Sequence, residues 1–403
     1  MPALLTTTRV VIDWLRRLPV STDLGIALLV ALALFFVYLP RLERAGLHSN
    51  AWLGGDCYYY QRTIASLWVD GDLDMSNNIG DTNPLNRQLA ASYDNRFVPK
   101  HNLLLPVVSL PFWVLWGNPG LLAFNIVQLL ALMIVVFFLN RLCYSPATAA
   151  GMMFVCGTAT LFYDYSYNYS PDIFASLLLL GGLLLVARRR FNSAAVVLGL
   201  SVFAKIPNAL FSAIILGYAC WLIATDPPPS AQPEPPWSRR RIRRAGAMAV
   251  AYALGLLPLA VTNWWLFGAP WITSYQRAAI GRTPAGAFIL DNHVHDFQQP
   301  FWHGLWRLLS DDTKGIVDTN WVLCTAILGL LCIKVVREKK LLLTAGLICL
   351  AQLVFYAKYN DWNMSHYSNR FLMPLVCLAM LGTGALVECV LRALQRDSTN
   401  RSD

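Results

Sequence analysis

Charge is scarce in this sequence. Only 14% of its 403 residues are charged, against 56% that are hydrophobic. A soluble domain carries about 25% charged residues. The deficit excludes an ordinary soluble domain and points to a membrane. The nine cysteines include no CxxC pair, and all but Cys57 lie in or beside apolar runs. That spacing excludes a disulfide framework and a zinc ribbon; these cysteines read as small core hydrophobes. No internal repeat is visible either. Acids are fewer than bases, 23 against 32, for a net charge of +9. The bases stand in short runs between apolar segments, the arrangement that encodes membrane topology and not nucleic-acid binding.

What is present is a succession of apolar runs. A helix needs about 20 mostly apolar residues to cross a hydrocarbon core. The segments 24–40, 121–139, 147–163, 171–187, 208–224, 246–268, 317–335, 341–357 and 371–392 qualify, and 193–206 is shorter. Basic clusters follow at Arg9, Arg16 and Arg17, at 188–190, 238–244 and 336–340, and at Arg392, Arg396 and Arg401. The positive-inside rule places all of them in the cytoplasm. Segments 41–102, 269–316 and 358–370 then lie outside. The first apolar run shows no small-residue cleavage site, so it is expected to stay as the first helix. Residues 103–117, with Pro106 and Pro111, would upset the parity as a crossing. They are expected to form a juxtamembrane or re-entrant helix on the outer side. The fold class is therefore an all-α polytopic membrane protein with about ten spanning helices and juxtamembrane helices in a long first outer loop. A single domain covers 1–392, interrupted by a cytoplasmic proline- and arginine-rich linker at 227–244 and followed by a tail at 393–403.

That topology sorts the polar chemistry onto the outer face. The stretch GGDCYYYQRTIASLWVDGDLDMSN, residues 54–77, opens the first outer loop. Asp56 precedes three consecutive tyrosines, and the segment has the look of an amphipathic helix lying on the membrane. Asp172 opens an apolar helix, where an acid in the first turn also suits the helix dipole. Lys205 sits between two apolar segments, where a lysine must snorkel, pair or bind an anion. Arg370 opens the last apolar run, and its guanidinium suits a phosphate or an interfacial anchor. The alternating Asp70, Asp72 and Asp74 are weak candidates for a divalent metal, because they lack the glycine and glutamate of an EF-hand loop; a structural turn is preferred. HVHD, residues 293–296, has a metal-like flavour without a further ligand, and is taken as a loop.

Together these residues resemble the integral-membrane glycosyltransferases of the GT-C superfamily. The nearest flavour is that of the bacterial relatives of protein O-mannosyltransferases and of the lipid A aminoarabinose transferase. The likeness runs over 24–392 as ordered short matches: the 54–77 stretch, FVPKHNLLLPVVSLPFW, YSPDIFASLLLL, FAKIPNALF, LLSDDTKGIVDTNWVLCTAILGLL and WNMSHYSNRFLMPL. One departure is the Asp56–Cys57 pair, where many relatives have Asp-Glu. On this reading the chain also carries no soluble outer domain, so acceptor recognition falls to the membrane part or to partners.

The resemblance implies a donor sugar on a polyprenyl phosphate, a lipid, glycan or protein acceptor, and inversion at the anomeric carbon. An acceptor hydroxyl must lose a proton as it attacks, and a carboxylate can take it. The phosphate leaving group gains charge and needs basic partners. The implied roles are Asp56 as general base and Asp172 as an orienting acid. Arg370, Lys205 and Lys100 would hold the donor phosphate. Tyr58, Tyr59, His101, Trp362 and His366 would line the substrate site. No cofactor is required by the resemblance; a divalent ion serves some relatives and not others. The implied place is the bacterial inner membrane, with the active site facing outward. The rival classes are a lipid-linked sugar transporter or flippase and a non-catalytic cell-envelope protein.

Overall fold

A computed structural model of the chain describes residues 22–44, 55–79, 88–225, 238–311, 314–360 and 369–400. The expected Trp362 and His366 lie outside the described residues, as does most of the linker.

Helices dominate, as the apolar runs require. In chain order they are α1 (Thr22–Arg44), α2 (Asp56–Ala65), α3 (Leu104–Trp116), α4 (Asn118–Cys143), α5 (Pro146–Thr158), α6 (Pro171–Ala187), α7 (Phe191–Ala204) and α8 (Asn208–Thr225). They continue as α9 (Arg239–Phe267), α10 (Phe301–Ser310), α11 (Leu323–Gly329), α12 (Lys339–Ala357) and α13 (Met373–Asn400). Among the described residues, six helical segments are long and apolar enough to cross a membrane: α1, α4, α8, α9, α12 and the segment from Arg370 through α13. The chain is a polytopic membrane protein in architecture.

Local sequence explains the boundaries. α6 begins with Ser170 capping the Ile173 N–H and with Pro171 in its first turn. α7 and α8 form a hairpin that turns at Lys205 and Pro207. α9 starts at a Ser238 cap and stops at Gly268, whose φ of 79° is left-handed. α7 and α9 cross closely because Gly199 and Gly255 meet; a Cβ on Gly255 would come within 2.3 Å of the Val196 carbonyl oxygen. The shared core runs from Leu34 and Tyr38 on α1 through Phe137 and Leu183 to Met380 and Leu381 on α13.

Two expected spans come out differently. The segment 147–163 is helical only to Thr158, then passes into turns and a 3-10 turn at Asp164–Tyr167. The segment 317–335 is broken into a short turn at Ile316–Thr319, α11, and a 3-10 stretch at Leu330–Val335. α11 is pressed against α13, and a Cβ on Gly329 would lie 1.8 Å from the Gly382 carbonyl oxygen. α3 has 13 residues, or about 20 Å at 1.5 Å per residue, less than the roughly 30 Å hydrocarbon core. Its start and its middle both pack into one cluster with Cys57, Tyr60, Phe124 and Tyr169.

The helices are joined at one end by an element that apolar periodicity did not show. Four short strands form an antiparallel sheet in the order β2-β1-β3-β4: β1 (Leu89–Ala91), β2 (Phe97–Pro99), β3 (Ala278–Arg282) and β4 (Phe288–Asp291). β1 and β2 make a hairpin, and Ala90 pairs with Ala278 to join the two loops. Arg277 reinforces the join by donating to the carbonyls of Ala91 and Ser92 at 3.0 and 3.1 Å. Among the described residues, the basic runs at 188–190, 238–244 and 336–340 stand at the other helix ends, and Arg337 there donates to the carbonyls of Arg141 and Cys143.

Candidate functional site

Four elements bring four charges together beneath the sheet. Asp56 is the first residue of α2, entered through Gly55 at a φ of 56°. Asp172 is in the first turn of α6. Lys205 follows α7 in the hairpin. Arg370 opens a 3-10 turn before α13, and the Asn369 side chain caps that turn by accepting from the Phe371 N–H. Arg370 donates to Asp56 at 2.6 Å through Nη2, and its Nε lies 3.5 Å from Asp172. Lys205 Nζ donates to the other Asp172 oxygen at 2.5 Å. The order is a chain: Asp56, Arg370, Asp172, Lys205. Lys205 also lies 4.7 Å from the Phe371 ring and 5.6 Å from that of Tyr356, both favourable for a cation.

Asp172 is not needed as a cap, because Ser170 fills that role. Its carboxylate is spent on cations instead. Buried charges of this kind are costly to desolvate unless paired. Their pairing here gives each of the four a partner and gives the cluster zero formal charge.

The strand β2 delivers two more groups, Lys100 and His101, directly after Pro99. Lys100 is buried, with Nζ 5.9 Å from the Tyr275 ring. Its ammonium adds a third cation near Asp56. His101 Nε2 is 2.8 Å from Gln88 Oε1 and 3.7 Å from Asp56 Oδ1. Burial pushes the His101 imidazole down to about 4, although Asp56 pulls the other way. A neutral ring donating from Nε2 fits the Gln88 contact. For Asp56 burial works upward, but Arg370, then His101 and Lys100, outweigh it and hold the carboxyl well below the usual range. Asp56 is thus a carboxylate, and one whose basicity is suppressed while Arg370 holds it.

Cys57, the departure from the Asp-Glu pair, is a structural tie. Its thiol donates to Asn168 Oδ1 at 2.7 Å and lies 3.0 Å from the Tyr169 carbonyl oxygen. Burial raises its pKa to about 12, so it stays protonated. It fastens α2 to the loop that leads into α6.

The three tyrosines of the triplet go different ways. Tyr58 packs edge-on to Tyr59 at 5.4 Å and lies under Arg62. Tyr59 packs against the cluster of Met75, Phe97 and Ala279 that supports the sheet. Tyr60 reaches towards Asp56 through a ring contact of 5.0 Å with His101. A signal for it was present, because residues four apart share a helix face and Tyr60 is four after Asp56. Tyr275, Tyr356 and Gln352 were also missed, each lying in a segment without a local charge pattern.

The DGDLD aspartates build a turn. Asp72 accepts from the Asp74 N–H and from Ser66, Asp74 accepts from Ser76, and Asp70 accepts from Asn78. Among the described residues no group of three or more His, Cys, Asp or Glu is placed to hold a metal ion. His293 and Asp296 of HVHD bond to each other and make the loop compact.

Two hollows flank the site. A small recess of about 10 Å³ lies below Asp172, Lys205 and Arg370, lined also by Asn208, Gln352 and Tyr356. An apolar groove of about 710 Å³ opens between α8 and α12, lined by Leu210, Ile214, Leu347, Val354 and Phe355, with Lys358 at its rim. Phe211 lines the recess and faces Phe355 of the groove at 6.3 Å between ring centroids. That aromatic pair stands between the two hollows.

No family model matches the chain, and no curated protein sequence does. Solved structures do. ArnT from Cupriavidus metallidurans, bound to undecaprenyl phosphate, superposes with a TM-score of 0.56 at 14% identity, over 91% of this chain and 60% of ArnT. The chain therefore spans less than two thirds of that protein. The Archaeoglobus fulgidus oligosaccharyltransferase, tethered to an acceptor peptide, is more distant, with a TM-score of 0.49 at 12% identity over 92% of this chain and 50% of its own. The chain has the fold of ArnT over most of its length.

Proposed function

We propose that the chain is a glycosyltransferase that moves a sugar from a polyprenyl-phosphate donor to an acceptor hydroxyl, with inversion. The observation that carries this reading is Arg370, held between Asp56 at 2.6 Å and Asp172 at 3.5 Å. A guanidinium so placed can serve a phosphate and control a base together. The apolar groove beside it supplies a path for an isoprenoid tail, and ArnT, which shares the fold, was solved with undecaprenyl phosphate.

The mechanism follows from the resting geometry. The donor phosphate draws on Arg370 and Lys205, which are the nearest cations able to neutralise it. As Arg370 turns to the phosphate, Asp56 loses its strongest charge partner and its basicity rises. The acceptor hydroxyl then gives its proton to Asp56 while its oxygen attacks the anomeric carbon. The bond to the phosphate oxygen breaks, and the polyprenyl phosphate leaves with the electron pair. Asp172 keeps Lys205 oriented throughout. Lys100 adds positive potential, and neutral His101 with Tyr60 shields Asp56 from water. The site end of the bundle faces outward across a bacterial inner membrane, opposite the basic end. The acceptor is a lipid, glycan or protein hydroxyl.

The test uses purified protein in lipid nanodiscs with a panel of polyprenyl-phosphate sugars and envelope lipid acceptors. Release of free polyprenyl phosphate is followed by mass spectrometry. The wild type consumes at least one donor. Asp56→Asn lowers turnover by about 10²–10⁴-fold, the range of a lost general base, while donor binding persists. Full turnover by a folded Asp56→Asn protein would remove the base assignment. A donor analogue seen far from Asp56 and Arg370 would remove the enzyme reading.

A further inference from the structure

Gln352 stands out in the bundle. It lies on α12, five residues before the helix ends at Ala357, so about 8 Å into the helix from that end. Its exposure is 0%. Among the described residues it is the one amide side chain with both polar atoms buried and without a hydrogen-bond partner. Other buried amides are used. Gln128 donates to Asn125 and to the Ser170 carbonyl, and Asn208 donates to the carbonyls of Ala175 and Ser201. A leucine would pack at position 352 without the cost of a desolvated amide.

The Gln352 side chain instead lines the recess beneath the charged chain. The same recess is lined by Arg370, whose Nε is likewise buried without a hydrogen-bond acceptor. Two residues lining one small hollow thus carry three polar atoms without a hydrogen bond: the Gln352 amide N–H donor, its oxygen acceptor and the Arg370 Nε–H donor, whose ion-pair contact with Asp172 is long at 3.5 Å. A hydroxyl oxygen can accept twice and donate at least once. That is the complement of this set. The hollow is too tight for a phosphate group or a sugar ring, and it suits a single oxygen.

We infer that Gln352 binds one hydroxyl-type oxygen in this recess, from an ordered water or a substrate hydroxyl, and through it positions Arg370 against Asp172. Gln352 is a positioning residue in this role. It sets the direction in which the guanidinium fork points before a phosphate arrives. The oxygen site stands on the geometry alone; its consequence for donor binding rests on the reading of Arg370 as the phosphate ligand.

The test compares maps of the full chain in nanodiscs, at a resolution that shows ordered water, without ligand and with undecaprenyl phosphate. A peak within hydrogen-bond reach of Gln352 in the ligand-free map identifies a water. A peak only in the second map identifies a ligand oxygen. No peak in either map overturns the proposal, whatever the variants do. Gln352→Met keeps the length and removes both polar atoms. It is expected to melt no lower than the wild type, yet to bind undecaprenyl phosphate about ten-fold more weakly, a change of roughly 1.4 kcal/mol. Gln352→Asn keeps the amide and is expected to recover part of that loss; it also serves if the methionine variant does not fold. A peak with unchanged affinity in both variants overturns the positioning role. A wild type that does not bind undecaprenyl phosphate defeats the donor reading instead, and the ligand-free map still decides the oxygen site.

Discussion

The two ends of the bundle use polar side chains in opposite ways. At the basic end Arg337 and Glu388 serve the backbone, and the ion pairs there, Arg392–Glu388 and Arg141–Asp23, stay simple pairs. Arg337 donates to the carbonyls of Arg141, Cys143 and Tyr144, which end α4. Glu388 accepts from the Ser145 N–H and hydroxyl and from Thr148, which begin α5. Each of these side chains closes a helix terminus that would otherwise leave unmet groups. At the site end the charged side chains serve one another. Asp56, Arg370, Asp172 and Lys205 come from four separate elements, and Ser170 has already capped α6. Charge that repairs no backbone and costs desolvation marks the place where a ligand is expected.

The contrast can be broken most forcefully at Arg370. Arg370→Ala strands the Asp56 carboxylate and leaves Asp172 with Lys205 alone, and breaking a buried pair costs about 3–5 kcal/mol. Donor turnover is expected to vanish and the melting temperature to fall together. A variant that keeps turnover would show that the guanidinium is only an anchor. The pH dependence sharpens the same end. The His101 pKa falls from 6.5 to about 4 on folding, so the unfolded chain takes up the proton first as pH falls. The associated stability is complete above about pH 6.5 and is lost as pH falls towards 4. Asp56, also depressed, adds a further loss at still lower pH. Melting curves between pH 7 and pH 4 are expected to slope downward in the wild type and to slope less in His101→Gln. Equal slopes would place the imidazole outside the coupled cluster. The smallest effect is expected at the basic end. Arg337→Ala leaves helix-terminal carbonyls without a charged donor and costs about 1–3 kcal/mol, with turnover per folded molecule unchanged. A loss of turnover there would blur the division between the two ends.

Much of this arrangement was legible because isolated charges in apolar surroundings are conspicuous. Asp172, Lys205 and Arg370 each stand at the edge of an apolar run, and Asp56 stands before an aromatic one. The pattern of basic clusters and run lengths likewise anticipated most of the helices. The sheet was not legible, because β1 and β2 are three residues each and their partner β3 lies in a different loop. So short a strand carries no alternation to read. The tyrosine triplet shows a related limit: neighbours on a helix face different ways, and only helical phase puts Tyr60 beside His101. Gln352 was hidden because one amide in an apolar helix has no distinguishing context until the recess is seen. The break of 317–335 depended on contact with Gly382, which composition does not report.

The contact between Arg370 and Asp56 joins residues 314 apart in sequence. During synthesis from the N-terminus, Asp56 leaves the ribosome long before its counter-ion exists. Until the segment that begins at Arg370 is inserted, the Asp56 carboxylate lacks the guanidinium that holds it. The charged chain is therefore completed only once residue 370 reaches the bundle. A chain arrested before that point carries the helices up to α12, with Asp56 and Asp172 in place but the cation between them missing.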